Sequence, residues 1–170
     1  MTTATATDIR DAYAINYTFD LPRDLVWKGW TEPEHLAHWR CPDGATLTLV
    51  DHDVRPGGFV QFAIPAGPDR EVYMLYTYQK IVPQQRIEFT TAFCTRDRDV
   101  TRAPFNATFP LVLANWITFS ETNGRTTLIG GGQPVGATDA ERETFAGLVD
   151  MYSQACAGSS RYLAEYLNAL

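Results

Sequence analysis

Apolar and polar residues alternate from Ala12 onward, and this alternation predicts a half-buried strand near the start of the chain. The apolar face of that strand carries Tyr13, Ile15, Tyr17 and Phe19. The strand should end at Asp20, a residue type that can cap the helix that follows, and Pro22 suits the first turn of that helix.

Two short helices are predicted next. The first carries Leu25, Val26, Trp27 and Trp30. The stretch Thr31-Glu32-Pro33-Glu34 has the form of a capping box with a proline in the first turn, so a second helix should begin at once. That helix bears Leu36 and Trp39 and should end before Pro42-Asp43-Gly44.

Beyond these helices the apolar spacing drops to two, which is typical of strands joined by turns. The predicted strands are Ala45–Val54, Phe59–Ile64, Glu71–Val82, Arg86–Phe93, Leu111–Glu121 and Thr126–Gly131. Residues 94–110 have little periodicity and are predicted to form a long loop. Asn123-Gly124 is the strongest short hairpin signal in the chain.

The last predicted element is one long helix. Thr138-Asp139-Ala140-Glu141 is a second capping box, and apolar residues recur after it at close to helical spacing. Short connections favour antiparallel neighbours, and a twisted antiparallel sheet of seven strands tends to curl. We therefore predict an α+β fold in which the terminal helix covers the concave face of the sheet, over either a solid core or a cavity.

Composition points to a single cytoplasmic domain. Of the 170 residues, 45% are hydrophobic, which is ample for a large core. The formal net charge is −6 and no block of lysine and arginine occurs, which argues against a nucleic-acid or anionic-membrane surface. No apolar run approaches the roughly 20 residues of a membrane span, and the N-terminus lacks the features of a secretory signal. We expect one domain over residues 12–170, preceded by a disordered segment at residues 1–11.

Four stretches, in order, carry a family resemblance. They are residues 19–27 (FDLPRDLVW), residues 30–39 (WTEPEHLAHW), residues 54–58 (VRPGG) and residues 81–90 (IVPQQRIEFT). Together they resemble the START-like (SRPBCC, helix-grip) superfamily, and most closely the branch named after the activator of the heat-shock-protein-90 ATPase. The resemblance implies a curled seven-stranded sheet that grips a long C-terminal helix over a cavity. It carries over no catalytic residue and no cofactor.

The resemblance implies one of three activities. Members of the superfamily are taken to bind hydrophobic small molecules, to modulate a chaperone or, in related branches, to cyclise polyketides. The terminal helix departs from the branch, because residues 148–156 (LVDMYSQAC) lack the Gly-Trp pair that is usual there. Since this helix covers the cavity in the family, the departure leaves ligand specificity open.

The stretch HLAHWRC raises the question of a metal site, because His35, His38 and Cys41 stand within seven residues. On a helix the two histidines are about 60° apart, so joint ligation is geometrically possible. A zinc site needs three or four protein ligands, however, and no second cluster stands nearby in the sequence. We predict no metal, and place the histidines at the rim of a helix that Leu36 and Trp39 anchor.

Other candidate chemistry is weak, and no catalytic residue is predicted. Strand alternation places Asp51 and Asp53 on the face opposite His52, which makes a poor dyad for acid–base catalysis. His52 could act on a ligand if it faced the cavity. Cys94 and Cys156 are expected to be buried and inert. Whether the protein is an enzyme stays open.

The concave face and the terminal helix together supply the candidate site. Mostly apolar walls with a few hydroxyl, amide and thiol groups are typical of small-molecule sites. The predicted cavity residues are Phe62, Met74, Tyr76, Tyr78, Phe89, Thr91, Phe93, Asn115, Ile117, Leu148, Met151, Tyr152 and Cys156. The alternative is an ordinary core, in which the buried tyrosine hydroxyls and Asn115 would need partners.

These patterns favour a protein that binds a hydrophobic or aromatic small molecule without catalysis. Two alternatives remain. A co-chaperone-like modulator of a heat-shock ATPase would present a surface patch outside the cavity. A polyketide cyclase- or hydrolase-like enzyme would place acid–base groups inside the cavity.

Overall fold

The computed structural model describes residues 11–40 and 47–170, which form one seven-stranded antiparallel sheet and four helices. The strands are β1 (Tyr13–Phe19), β2 (Thr48–Asp53), β3 (Phe59–Pro65), β4 (Glu71–Val82), β5 (Arg86–Cys94), β6 (Leu113–Thr122) and β7 (Arg125–Pro134). The helices are α1 (Arg23–Thr31), α2 (Pro33–Trp39), α3 (Asp139–Ala146) and α4 (Val149–Asn168). The strand order is β1-β7-β6-β5-β4-β3-β2, which confirms the predicted α+β helix-grip architecture.

The sheet curls around α4 and the pair α1–α2. Strands β2 to β7 follow one another as hairpins, and β1 closes the far edge by pairing with β7. The register of β2 against β3 shifts between Leu49 and Asp51, and that of β4 against β5 shifts between Tyr78 and Lys80. Such bulges increase the local twist, so they help the sheet to bend. The predicted Asn123-Gly124 turn joins β6 to β7, with both residues at positive φ as a tight hairpin requires.

Two of the predicted helix caps are wrong. Asp20 does not cap α1, because Pro22 occupies the N-cap position and the Asp20 carboxylate accepts a hydrogen bond from Arg125 Nε at 2.6 Å. Thr31 does not cap α2, because it is the last residue of α1 and its hydroxyl donates to the Trp27 carbonyl at 2.9 Å. A hydroxyl that bonds back to the carbonyl four residues earlier is no longer available as a cap.

The predicted terminal helix is two helices rather than one. The capping box at its start is confirmed, since the Thr138 hydroxyl accepts from Glu141 N and the Glu141 carboxylate accepts from Thr138 N. The helix stops after Ala146, where Leu148 N bonds the Phe145 carbonyl in a tighter turn. Gly147 at this point is a weak helix former. The break gives α4 its own direction across the sheet, against β1 and α2.

Trp39 holds α1 and α2 together. Its side chain is 1% exposed, and its ring lies 4.6 Å from that of Trp30. The indole Nε1 donates to the Gly29 carbonyl at 2.9 Å. That carbonyl lies near the end of α1, and the residue four positions later, Pro33, has no N–H to offer it. The indole therefore replaces a missing backbone donor.

Candidate functional site

A cavity lies between the sheet and α4, in two adjoining parts. The inner part has a volume of about 310 Å³ and is lined by Arg40, Leu47, Ile64, Met74, Tyr76, Phe93, Tyr152, Ala155, Cys156 and Ser159. The outer part has a volume of about 260 Å³ and is lined by Met74, Thr91, Ala92, Phe93, Phe105, Phe109, Pro110, Leu111, Leu113, Leu148, Met151 and Tyr152. Met74, Phe93 and Tyr152 line both parts, so they mark the boundary between them.

Strand register brings the sheet side of the cavity together. Met74 on β4 lies opposite Phe93 on β5, and Tyr76 lies opposite Thr91. Because alternate residues of a strand face the same side, these four side chains form one patch. Helix α4 faces the patch with Tyr152 and, one turn later, Cys156. Eight of the predicted cavity residues line it: Met74, Tyr76, Thr91, Phe93, Leu148, Met151, Tyr152 and Cys156.

The other five predicted cavity residues lie in the core instead. Phe62, Tyr78, Phe89, Asn115 and Ile117 are all buried and line neither part of the cavity. Trp30 of α1 packs against Phe89 at 6.4 Å between ring centroids, so the α1–α2 pair fills this end of the concave face. Asn115 accepts from the Tyr13 hydroxyl at 2.7 Å and donates to the Leu113 carbonyl at 3.0 Å. Its polar atoms are thus satisfied inside the protein.

The long loop between β5 and β6 closes the outer part, which the sequence pattern did not indicate. Phe105 and Phe109 pack against Phe93, with ring centroids 5.6 Å and 6.3 Å away. Phe109 in turn meets Phe145 of α3 at 5.9 Å. Phe105 is 64% exposed and Met151 is 60% exposed, so large apolar side chains stand at the edge of the outer part. The two phenylalanines in an otherwise polar loop were the available signal.

Arg40 is the most informative wall residue, and the sequence analysis did not select it. Its guanidinium carbon lies 5.0 Å from the ring centroid of Tyr76, 5.1 Å from that of Trp39 and 5.2 Å from that of Trp30. Its Nε donates to the Tyr76 hydroxyl oxygen at 2.6 Å. A signal was present: Arg40 stands four residues after the buried Leu36, and residues at that spacing share one helix face.

Burial keeps the other polar groups of the inner part neutral. It raises the pKa of the Tyr76 and Tyr152 phenols above their usual range, and the nearby Arg40 charge offsets only part of this. Burial likewise raises the pKa of the Cys156 thiol. For Arg40, burial alone would lower the pKa, but Tyr76 and Cys156 raise it by more, so the guanidinium stays charged. The cavity therefore offers one positive charge beside neutral hydroxyl and thiol groups.

The histidines of the HLAHWRC stretch contact Tyr166 of α4. His35 Nδ1 lies 2.8 Å from the Tyr166 hydroxyl, and the His38 ring stacks on the Tyr166 ring at 4.9 Å. Cys41 lies outside the described residues. Within the described ranges, no three His, Cys, Asp or Glu side chains are grouped so as to hold a metal ion. The two histidines thus help to pack α2 against α4.

His52 does not line the cavity. It is exposed on β2, the edge strand, and Asp51 pairs with Arg98 at 2.8 Å while Asp53 pairs with Arg55 at 2.8 Å. The aspartates thus have arginine partners of their own. In the part of the chain that the structure covers, no helix is both long and apolar enough to span a bilayer.

The fold is shared with several solved structures. Protein Ms6760 from Mycobacterium smegmatis is 22% identical, with a TM-score of 0.72 over 99% of this chain and 98% of that chain. A protein from Staphylococcus epidermidis is 22% identical, with a TM-score of 0.75 over 98% of this chain and 94% of that chain. Protein NE0264 from Nitrosomonas europaea is 20% identical, with a TM-score of 0.73 over 97% of this chain and 99% of that chain. At these identities the similarity establishes the fold alone.

The sequence itself matches a family over most of its length. No curated protein matches it at a significant level. The family described as "Activator of Hsp90 ATPase homolog 1-like protein" matches over residues 20–154, which include α1, α2, the strands β2 to β7 and the start of α4. The chain therefore belongs to the Activator of Hsp90 ATPase homolog 1-like protein family.

Proposed function

We propose that this protein binds a hydrophobic or aromatic small molecule in the cavity between the sheet and α4, without catalysing a reaction on it. The observation that supports this is the cavity itself. Its two parts measure about 310 and 260 Å³, adjoin each other and have mostly apolar walls. Volumes of a few hundred Å³ with apolar walls and a few polar groups are typical of small-molecule sites.

The outer part supplies a route for entry. Phe105 and Met151 are exposed at its edge, one on the β5–β6 loop and the other on α4. Exposed side chains change rotamer within nanoseconds, and loops move within microseconds. A ligand can therefore pass between these two side chains without unfolding of the sheet.

The titrating groups support binding rather than catalysis. Tyr76, Tyr152 and Cys156 line the cavity with pKa values that burial raises, so they are neutral at physiological pH. A general acid or base works best when its pKa lies near the working pH. None of these three groups meets that condition, and His52 is exposed elsewhere.

Native mass spectrometry and a neutral fluorescent probe, N-phenyl-1-naphthylamine, test the proposal. The blocking variant is Cys156→Trp, which fills the inner part, and its matched control is Gln154→Trp, at an exposed position two residues away on α4. We expect the wild type and Gln154→Trp to bind the probe or retain a co-purified molecule, and Cys156→Trp to bind at least tenfold more weakly. Equal binding by the two variants, or no binding by the wild type, would contradict the proposal.

The family description also raises an interaction with Hsp90 as an alternative. The same variants separate the two roles. If purified Hsp90 ATPase is stimulated equally by the wild type and by Cys156→Trp, the stimulation comes from a surface outside the cavity. If Cys156→Trp loses both probe binding and stimulation, the two depend on the same site.

A further inference from the structure

We propose that the small molecule is a monocarboxylic acid, whose carboxylate pairs with Arg40 and accepts a further hydrogen bond from Tyr76. This inference rests on the proposed function and specifies the class of ligand. It predicts that the apolar part of the acid, an aromatic ring system or a medium-length alkyl chain, extends past Met74, Phe93 and Tyr152 toward the outer part of the cavity.

The first step is the isolation of the Arg40 charge. Within residues 11–40 and 47–170, no carboxylate oxygen lies within 4.0 Å of an Arg40 nitrogen. Arginines nearer the surface do have such partners: Arg55, Arg86, Arg98, Arg102, Arg125, Arg142 and Arg161. A charge enclosed by protein without an opposite charge is costly, so the enclosed arginine is the one that gains most from an anionic ligand.

The second step is the set of donors that remain. A guanidinium has five N–H groups, and Arg40 uses its Nε on the Tyr76 oxygen. The terminal nitrogens have no hydrogen-bond acceptor among the described residues. They form the fork that matches a carboxylate in two parallel bonds. Because the Tyr76 oxygen accepts from Arg40, its own O–H can donate to the same ligand.

The third step is the rigidity of the guanidinium. The rings of Trp30, Trp39 and Tyr76 surround it at 5.0 to 5.2 Å. Aromatic faces attract a cation and hold it without using its N–H groups. A donor set that is already in place loses little side-chain entropy when a ligand binds. The apolar surroundings also strengthen the Coulomb attraction to a bound anion.

The number of charges selects the class of anion. Arg40 is the charged residue among the cavity walls that the structure describes, and Tyr152, Cys156 and Ser159 add neutral groups. One guanidinium balances one carboxylate. A phosphate monoester carries about −1.5 to −2 charges at neutral pH, so it would leave excess negative charge in an apolar cavity. A neutral alcohol would leave the guanidinium unpaired.

Calorimetric titration of acid and alcohol pairs tests this inference. The probes are 2-naphthylacetic acid with 2-(2-naphthyl)ethanol, and decanoic acid with decan-1-ol. For the wild type at pH 7.5 we expect the acid of at least one pair to bind about tenfold or more tightly than its alcohol, as a charge-assisted hydrogen-bonded pair should. Arg40→Met should reduce that ratio to about one. The surface control Arg55→Met should leave the ratio as in the wild type.

Two further variants protect the test against trivial explanations. Arg40→Lys keeps the charge without the planar fork, so it should give an intermediate ratio even if Arg40→Met unfolds. Asp43 stands three positions after Arg40 in the sequence and lies outside the described residues. If Asp43 occupied the guanidinium, Asp43→Asn would tighten binding of the acid tenfold or more, and that result would overturn the inference.

The outcomes distinguish this inference from the function on which it rests. Binding of neither acid nor alcohol would contradict both. Equal binding of acid and alcohol by the wild type, or an acid preference that survives Arg40→Met, would leave small-molecule binding in place and overturn the role of Arg40. A strong acid preference that Arg40→Met abolishes supports both.

Discussion

At the scale of single residues, the cavity and its surroundings are shaped by groups that sit in apolar surroundings with few polar partners. Arg40 keeps its charge there, whereas the phenols and the thiol beside it stay neutral. Both outcomes have the same cause, because burial penalises ionised groups and only a guanidinium is basic enough to remain ionised. The result is a cavity with a permanent positive charge and no titration near neutral pH among its described tyrosine and cysteine side chains.

The Cys156 thiol should react slowly. Burial raises its pKa, so less thiolate is present at pH 8 than in the unfolded chain, and the thiolate is the nucleophile. We expect alkylation of Cys156 by iodoacetamide at pH 8 to be at least tenfold slower in the folded protein than in guanidinium chloride. Peptide mass spectrometry resolves Cys156 from the other cysteines. Equal rates in the two conditions would show that the thiol is open to solvent.

Trp39 should contribute strongly to stability. Trp39→Phe removes the indole N–H and leaves the Gly29 carbonyl without its donor, since Pro33 cannot supply one. We expect a loss of about 1–3 kcal/mol in the free energy of unfolding, measured by urea denaturation. Trp116→Phe is the matched control. That side chain is 37% exposed on the outer face of the sheet, so the change there should be within about 0.5 kcal/mol.

At the scale of elements, the close approach of α1 to α4 depends on a glycine. A Cβ atom at Gly29 would lie 2.8 Å from Leu163 Cδ1, and Leu163 is fully buried. On α4, Gly158 has open space where its Cβ would be. The two helical glycines therefore have different roles: one permits packing, and the other only lowers helix propensity.

This difference predicts opposite effects of the same substitution. Gly158→Ala should stabilise the protein by up to about 1 kcal/mol, which is the helix-propensity gain. Gly29→Ala should destabilise it, because forcing a methyl group into a packed core costs about 1–3 kcal/mol and exceeds that gain. Urea denaturation of both variants measures the two effects. The packing argument fails if Gly29→Ala stabilises as much as Gly158→Ala.

At the scale of the whole molecule, the cavity exists because three segments far apart in sequence do not fill the same space. The α1–α2 pair fills one end of the concave face, α4 crosses the middle, and the β5–β6 loop covers the other end. Between them remain the two adjoining parts of the cavity. Four buried tyrosines contribute to this enclosed region and its borders: Tyr13, Tyr76, Tyr78 and Tyr152.

These tyrosines should make stability fall at alkaline pH. Burial raises the pKa of each phenol in the folded state, so the folded protein holds protons that the unfolded chain releases. The stabilisation is complete below the ordinary tyrosine pKa of about 10 and is lost as pH rises above it. Urea denaturation between pH 8 and 11 should therefore show a decline that begins near pH 10. Absorbance at 295 nm provides the check: ionisation of all eight tyrosines below the unfolding pH would contradict the prediction.

Much of the architecture was predictable from local pattern. The strand β4 was predicted with the bounds it has, and the Thr138 capping box and the Asn123-Gly124 hairpin are present as expected. These features depend on residues close together in sequence, through side-chain alternation, turn geometry and hydrogen bonds over three or four positions. The incorrect caps at Asp20 and Thr31 depended instead on competing partners, Arg125 and the Trp27 carbonyl.

The sequence by itself determined the order of elements, the α+β class and which faces of the strands are apolar. The tertiary structure alone decided that the concave face holds a cavity, that the terminal helix breaks at Gly147, and that Arg40 lies among three aromatic rings. The reason is that periodicity records which side of an element faces inward. Whether the inward space is filled depends on volumes supplied by remote segments, which no local pattern contains.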